Sequence, residues 1–174
     1  MMRRKKNETK SPLLPFLAQA RLSAAEDKSL NPSSLLVLLS IYKAFSMLDR
    51  KQAAELEPAG LSRSQFNVLT VLHRIQRPLL MGELAQMMAI QQTNLSGVVK
   101  GLRSKGLVRQ ESGVEDERAR LVSITAKGEL FLSKFLPLHW KNLERYMSRL
   151  TMKDRQKLSG LLEKLIHSIA QTDA

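Results

Sequence analysis

Hydrophobic positions recur at helical spacing along most of the chain. After Asn31 and Pro32, which suit the cap and the first position of a helix, apolar residues return every three or four positions to about Leu56. Three further segments repeat this period: LSRSQFNVLTVLHRI (61–75), MGELAQMMAI (81–90) and TNLSGVVKGLRSKG (93–106). Each of them predicts a helix with one buried face, and Gly106 is the expected stop of the third.

The period changes to alternation in only one region. LVRQE (107–111) and ARLVSIT (119–125) predict two strands, joined by the acidic turn SGVEDER (112–118). A short helix, a turn, a second helix and then a hairpin is the order of a winged helix-turn-helix. We therefore expect a mainly α fold with a small antiparallel β wing.

Helical spacing returns after the hairpin. One helix is expected from Thr125 to Leu150, with a kink or break at Pro137, and another opens at Thr151 with Asp154 in a near-capping box. A monomer of this length cannot cover the apolar faces of these helices, so we interpret the stripe of the last one as a dimer contact, together with residues 13–40. That stripe consists of Leu158, Leu161, Leu165 and Ile169.

This pattern predicts four regions. Residues 1–12 form a disordered basic arm and residues 13–60 the N-terminal dimerisation helices. Residues 61–125 form a winged helix-turn-helix DNA-binding lobe, and residues 126–174 the C-terminal dimerisation helices.

The charge of the chain indicates what class of partner it binds. The chain has 28 Lys and Arg against 16 Asp and Glu, a formal net charge of +12. Residues 61–110 carry seven of the basic residues against Glu83 alone. Such a concentration favours a polyanion as partner, although a generally basic surface is the alternative.

Other classes of function find no support. The chain has no cysteine, and its three histidines (His73, His139, His167) fall on different predicted helices. No phosphate-binding glycine loop, nucleophile elbow or metal-ligand spacing is present, so we expect no enzyme, no metal and no cofactor. No apolar run approaches the roughly 20 residues of a membrane helix. We therefore expect a cytoplasmic protein without a membrane partner.

The order and spacing of the central segments resemble the MarR family of bacterial transcription regulators. The matching segments, within residues 61–131, are LSRSQFNVL, GELAQMMAI, TNLSGVVKGLRSKGLV and DERARLVSITAKG. The resemblance implies an obligate homodimer that binds pseudo-palindromic double-stranded DNA, usually as a repressor. Many members are released from DNA by small, often phenolic, anions.

The resemblance implies that the helix predicted at residues 93–106 reads DNA. Its exposed residues are expected to be Gln92, Thr93, Asn94, Ser96, Gly97 and Lys100. Asn and Gln can pair with adenine and a Thr methyl can touch thymine, although a polar solvated face is the alternative. Gly97 and Gly101 predict close approach either to DNA or to a neighbouring helix. The candidates for phosphate contacts include Arg63, Arg103 and Lys105.

The acidic turn has its own interpretation. A narrow minor groove concentrates negative potential and attracts an arginine. The family pattern implies that Arg118 probes the groove and that Asp116 positions it by a bidentate pair. Arg120 would reach the backbone or pack on the sheet. The alternative is an incidental acidic turn.

The resemblance also implies an effector crevice between the dimer helices and the lobe. Candidate lining residues for a small aromatic or phenolic anion are Tyr42, Phe45, Met47, Arg50, Phe66, His73 and Arg74. These residues could instead simply fill the junction. A winged-helix protein-interaction module, or a DNA-binding protein that does not respond to a ligand, are the alternative functions.

Overall fold

The computed structural model describes residues 11–88, 92–112 and 120–172. The chain divides into two compact units, with the boundary between Arg63 and Ser64. The helices are α1 (Leu14–Glu26), α2 (Pro32–Leu56), α3 (Arg63–Ile75), α4 (Met81–Met88), α5 (Gln92–Ser104), α6 (Ala126–Tyr146) and α7 (Met152–Thr172). The strands are β1 (Leu79–Leu80), β2 (Val108–Ser112) and β3 (Arg120–Ile124). The predicted mainly α fold with a small antiparallel wing is confirmed.

The first unit pairs α1 with α2. The side chain of Asn31 accepts a hydrogen bond from the Ser33 amide at 2.9 Å, which confirms the predicted helix start. The unit buries Ala20 and Leu56 but leaves many large apolar side chains exposed. They include Leu14, Leu22, Val37, Leu38, Tyr42, Phe45, Met47 and Leu48.

The second unit has the ordinary core. Helices α3, α4 and α5 and the sheet bury Phe66, Leu69, Leu72, Leu84, Ala85, Leu95, Val99, Leu102 and Val122. The helical residues of this set follow the predicted inward faces. This core fixes which side of α5 points outward.

The sheet has three strands in the order β1-β3-β2, all antiparallel. The two strands predicted from the alternation form the hairpin, which pairs Val108 with Ile124 and Ser112 with Arg120. Strand β1 was not predicted, because its two residues are extended only through pairing with β3, in the register Leu79 with Val122.

The turn after α5 follows the predicted glycine stop. Gly106 has φ of 70°, and its amide donates to the Arg103 carbonyl at 2.9 Å. The Leu107 amide donates to the Leu102 carbonyl at 3.0 Å, which completes a Schellman motif. The chain therefore leaves α5 in a fixed direction toward β2.

Helix α6 contains the proline at which a kink or break was predicted. It runs through Pro137 without a break, and it ends at Tyr146 rather than at the predicted Leu150. A proline inside a helix costs about 3 kcal/mol. The rings of Phe135 and His139, four residues apart on either side of Pro137, are stacked at 5.7 Å. The two rings therefore lie on the same face of the continuous helix, on either side of the proline.

The connection from α6 to α7 explains the early end. The guanidinium of Arg155 donates to the Met147 carbonyl at 3.1 Å and to the Glu144 carboxylate at 2.8 Å. The carboxylate of Asp154 accepts from the Thr151 amide at 3.0 Å, and Thr151 Oγ1 accepts from the Asp154 amide at 3.2 Å. The predicted capping box is confirmed.

Candidate nucleic-acid interface

Helix α5 presents a polar face to solvent. Leu95, Val99 and Leu102 are buried on its inner side. The opposite side exposes Asn94, Ser96, Gly97 and Lys100, as predicted. Gln92 and Thr93 belong to the first turn of α5, but their side chains lie outside the described residues.

The two glycines of α5 have different surroundings. A Cβ added at Gly97 would have no atom within 4 Å. A Cβ added at Gly101 would lie 2.5 Å from Nε2 of Gln65 on α3. Gly101 therefore faces α3, where an added Cβ would meet the end of the flexible Gln65 side chain, whereas Gly97 leaves open space on the outer face of α5.

Arg103 on α5 and Arg120 on the hairpin are oriented by neutral oxygens. Arg103 donates to Oε1 of Gln110 at 3.2 Å, and Arg120 donates to Oγ of Ser112 at 2.6 Å. A neutral acceptor fixes the direction of a guanidinium without cancelling its charge. Lys105, in the turn that follows α5, is exposed. These cations are available to a polyanion.

Arg63 has a different environment. It lies 2.6 Å from the carboxylate of Asp49 and 4.8 Å above the ring of Phe45, all within the first unit. Its charge is already matched by a carboxylate. The structure thus distinguishes Arg63 from the basic residues around α5, with which sequence reasoning grouped it.

A charged pair supports the start of α4. Arg77 contacts Glu83 at 3.0 Å, and Glu83 also accepts from the Leu80 amide at 2.9 Å. The hydrogen bond from Arg77 is the main cause that holds the pKa of Glu83 below its ordinary value. The same pair raises the pKa of Arg77. The arginine is therefore engaged within the lobe, beside the helix that precedes α5.

The wing tip lies outside the described residues. Asp116 and Arg118 belong to the segment 113–119, so their proposed roles stay predictions. The register that pairs Ser112 with Arg120 shows where the hairpin leaves the sheet on either side of this segment.

The residues expected to line an effector pocket divide between the two units. In the first unit, α2 carries Tyr42, Phe45, Met47 and Arg50, all exposed. In the second unit, Phe66 is buried, with its ring 5.1 Å from both Phe135 and His139. Arg74 donates to the Thr70 carbonyl of its own helix at 3.0 Å.

His73 has a partner that sequence reasoning missed. Its Nδ1 lies 2.6 Å from Oε2 of Glu129 on α6, and Gln76 donates to the other carboxylate oxygen at 3.3 Å. The two residues are 56 positions apart, so no local pattern could indicate the pair. His73 thus ties α3 to α6.

The described ranges contain neither a cluster of metal-binding side chains nor a helix that could span a membrane. Among residues 11–88, 92–112 and 120–172, no three His, Cys, Asp or Glu side chains are grouped to hold a metal ion. Within the same ranges, no helix is both long and apolar enough to cross a membrane.

Comparison with known proteins gives one consistent result. Residues 59–119 match the sequence model of the MarR family. Sco3205 of Streptomyces coelicolor, a MarR family transcriptional regulator solved in complex with DNA, is 26% identical with a TM-score of 0.75, over 80% of this chain and 89% of that chain. MarR of E. coli in its apo form is 25% identical with a TM-score of 0.59, over 72% of this chain and 92% of that chain.

A third solved structure supports the fold alone. The transcriptional regulator BldR of Sulfolobus solfataricus is 24% identical with a TM-score of 0.67, over 78% of this chain and 96% of that chain. The family match takes in three of the four segments that suggested the family in the sequence and the start of the fourth, and the winged fold agrees with the structural matches. Residues 59–119 are thus similar in sequence to the MarR family, and the chain shares the winged-helix fold of solved MarR family regulators.

Proposed function

We propose that this protein binds double-stranded DNA sequence-specifically, as a cytoplasmic homodimer on a pseudo-palindromic operator, and represses transcription there. The observation that carries the proposal is the exposed polar face of α5, held outward by the buried Leu95, Val99 and Leu102. A helix with short polar side chains near its N-terminus can enter the major groove. The DNA complex of the similar Sco3205 supports the same partner.

The side chains of α5 divide the work of recognition. The amide of Asn94 can make a bidentate pair with adenine, and the Ser96 hydroxyl can accept or donate to a base edge. Gly97 leaves room for the helix to approach the groove. Lys100, Arg103 and Lys105 would contact phosphates, which set register and affinity without reading sequence.

The wing would add a minor-groove contact. Strands β2 and β3 lead to the segment that contains Asp116 and Arg118. An arginine inserted in a narrow groove gains from the concentrated negative potential, and a neighbouring carboxylate reduces the rotamer freedom it loses. Arg120, already oriented by Ser112, would contact the backbone beside it.

A second copy of the chain would cover the exposed apolar side chains. Leu158, Leu161 and Ile169 of α7 are 46%, 54% and 56% exposed, and Leu165 is half-buried. Contiguous apolar surface of this kind marks an association surface. The family resemblance implies that the partner is identical, which matches the two-fold symmetry of a palindromic operator.

Regulation by a small aromatic or phenolic anion belongs to the same proposal. Such a ligand would need ring surfaces and a cation, and the exposed α2 residues Tyr42, Phe45, Met47 and Arg50 supply both types of group. A ligand that binds the DNA-free form more tightly would shift the population away from the operator. Salicylate, added to the protein on its selected DNA, is the simplest probe: release of the DNA is expected.

The experiment is selection of bound duplexes from random DNA, followed by titration of the selected and a scrambled duplex. We expect a two-fold symmetric consensus. Asn94→Ala should lose affinity for the selected duplex by about 1–3 kcal/mol per base pair read, and little for the scrambled one. Lys100→Met should weaken both to a similar degree. Failure of any sequence to be enriched would overturn the proposal and favour a protein-interaction module.

A further inference from the structure

The turn that ends α5 is tied to the beginning of α6 by three consecutive carbonyls. The Lys105 carbonyl accepts from Nζ of Lys127 at 2.8 Å, and the Gly106 carbonyl accepts from Oγ1 of Thr125 at 2.7 Å. The Leu107 carbonyl accepts from the Thr125 amide at 3.1 Å. These three residues lie beyond Ser104, the last helical residue, so α5 itself offers their carbonyls no amide donor. Here they are satisfied by another element.

Besides these hydrogen bonds, which we call the tie, the start of α6 packs closely against the chain that follows α5. A Cβ added at Gly128 would overlap the Leu107 carbonyl oxygen and would lie 2.6 Å from Cγ1 of Ile124. Thr125 also caps α6, because its Oγ1 accepts from the Gly128 amide at 3.1 Å. One turn of α6 therefore holds both its own start and the end of α5.

Lys127 is the part of this tie that sequence reasoning did not single out. By charge alone it would count as one more surface cation in a basic chain. Its ammonium instead lies against the Lys105 carbonyl, where a positive charge is favoured by the helix dipole of α5. The dipole effect falls off within the last turn, and Lys105 directly follows the last helical residue, Ser104.

We propose that Lys127 is a positioning residue of DNA recognition: it fixes the C-terminal end of α5 relative to α6 and does not contact phosphate. This inference rests on the proposed function, in which α5 lies in the major groove. A small rotation of α5 about its C-terminal end would displace Asn94 at its other end. Base recognition is more sensitive to that displacement than phosphate binding, because bidentate geometry is strict.

The first test measures the tie without DNA. Hydrogen exchange of the Gly106 and Leu107 amides should be faster in Lys127→Met than in the wild type. Lys134→Met, which removes the same charge from an exposed position two turns further along α6, should leave both amides unchanged. Unchanged exchange in Lys127→Met would overturn the proposal whether or not the protein binds DNA.

The second test uses the selected duplex at several salt concentrations. Lys127→Met should bind about three- to tenfold more weakly, a factor in the range of one ordinary intramolecular hydrogen bond. Its dependence of log K on log salt should keep the wild-type slope. Lys127→Arg, which can still donate to the carbonyl, should recover most of the affinity.

Lys100→Met is the matched contrast. It should make the salt slope shallower by about 0.9 for each phosphate that the protein no longer neutralises. A slope in Lys127→Met that falls by the same amount would show that Lys127 contacts phosphate, and would overturn the proposal. Wild-type affinity in Lys127→Met would overturn it as well. Absence of specific binding by the wild type would instead count against the proposed function, while the exchange measurement would still test the tie.

Discussion

The winged lobe and the last helix, α7, carry similar apolar stripes, but the two stripes differ in how far they are buried. In α5 of the lobe, Leu95 and Leu102 are fully buried by the same chain. In α7, Leu158 and Leu161 also share one helical face, three positions apart, but are 46% and 54% exposed. A stripe predicts that a helix has a partner, but it does not say whether the partner lies in the same chain.

The difference arises from how many elements converge on each stripe. Three helices and a sheet surround the core of the lobe, so each apolar face meets another. None of the residues of α7 is fully buried, and only Arg155, Gly160 and Leu165 are half-buried. The proposal of a dimer therefore separates two regions: the lobe would fold on its own chain, and α7 would complete its packing against a second copy.

The largest expected effect separates the two stripes by stability. Leu102→Ala should lower the free energy of unfolding by about 2–5 kcal/mol, because it leaves a cavity in a filled core. Leu161→Ala should change it by about 0.5 kcal/mol or less in protein diluted until the chains are separate. Denaturant unfolding at two protein concentrations measures both. Equal losses in the dilute protein would show that α7 packs within its own chain.

Association gives the next effect. Leu161→Lys should weaken the dimer by about 2–4 kcal/mol, because it places a charge in an apolar contact. Gln156→Lys adds the same charge to an exposed position on a different side of α7 and should leave association unchanged. Sedimentation equilibrium reports the dissociation constants. Equal behaviour of the two variants would refute the assignment of the stripe to an interface.

Two glycine substitutions compare the lobe with α7 through smaller changes in stability. Gly128→Ala should cost about 1–3 kcal/mol of stability, because the new Cβ overlaps backbone and Ile124. Gly160→Ala on α7 should stabilise the chain by about 0.5–1 kcal/mol, since nothing lies within 4 Å and alanine favours the helix. Thermal melts in dilute protein compare them. A loss of stability at Gly160 would mean that the space beside it is filled.

The smallest expected effect is the loss of stability at acid pH. One carboxylate in each region contributes to it. Hydrogen bonds from Arg77 and from Thr151 lower the pKa of Glu83 and of Asp154 below their ordinary values of 4.5 and 3.8. Each group therefore contributes stability that is present above its ordinary value and is lost as the pH falls through its lowered folded value.

The loss should begin at a higher pH in the lobe than in α7. Glu83→Gln should flatten the fall of the melting temperature below pH 4.5, and Asp154→Asn should flatten it only below pH 3.8. Melts in steps from about pH 6 to about pH 3, which span both ordinary values, follow the two variants. Curves parallel to that of the wild type would show that these bonds contribute nothing in solution.

Local signals explain which parts of the fold could be predicted. Asn31, Thr151 and Gly106 act on their immediate neighbours, so the helix boundaries they set are present in the sequence. The outward face of α5 follows from the period of its leucines and valines. Strand β1 and the continuous course of α6 through Pro137 depend on packing and pairing that no local pattern carries.

The same division holds for the candidate site. The exposure of Asn94, Ser96 and Lys100 was predictable from periodicity. The pairing of Arg63 with Asp49 was not, because residue type alone does not show which cations already have a carboxylate. The role of Lys127 was not predictable either. Only its contact with the Lys105 carbonyl distinguishes it from a solvated surface lysine.

The most direct test of the central claim is the composition of the DNA complex. Native mass spectrometry of the wild type on the selected duplex should show two chains per duplex, with no population of one chain at intermediate protein concentrations. Leu161→Lys should replace this complex by single chains that bind weakly and without preference for the selected sequence. A wild-type complex of one chain per duplex, or selective binding by separated Leu161→Lys chains, would contradict the claim that a second copy completes the packing of α7 and sets the spacing of the two lobes on DNA.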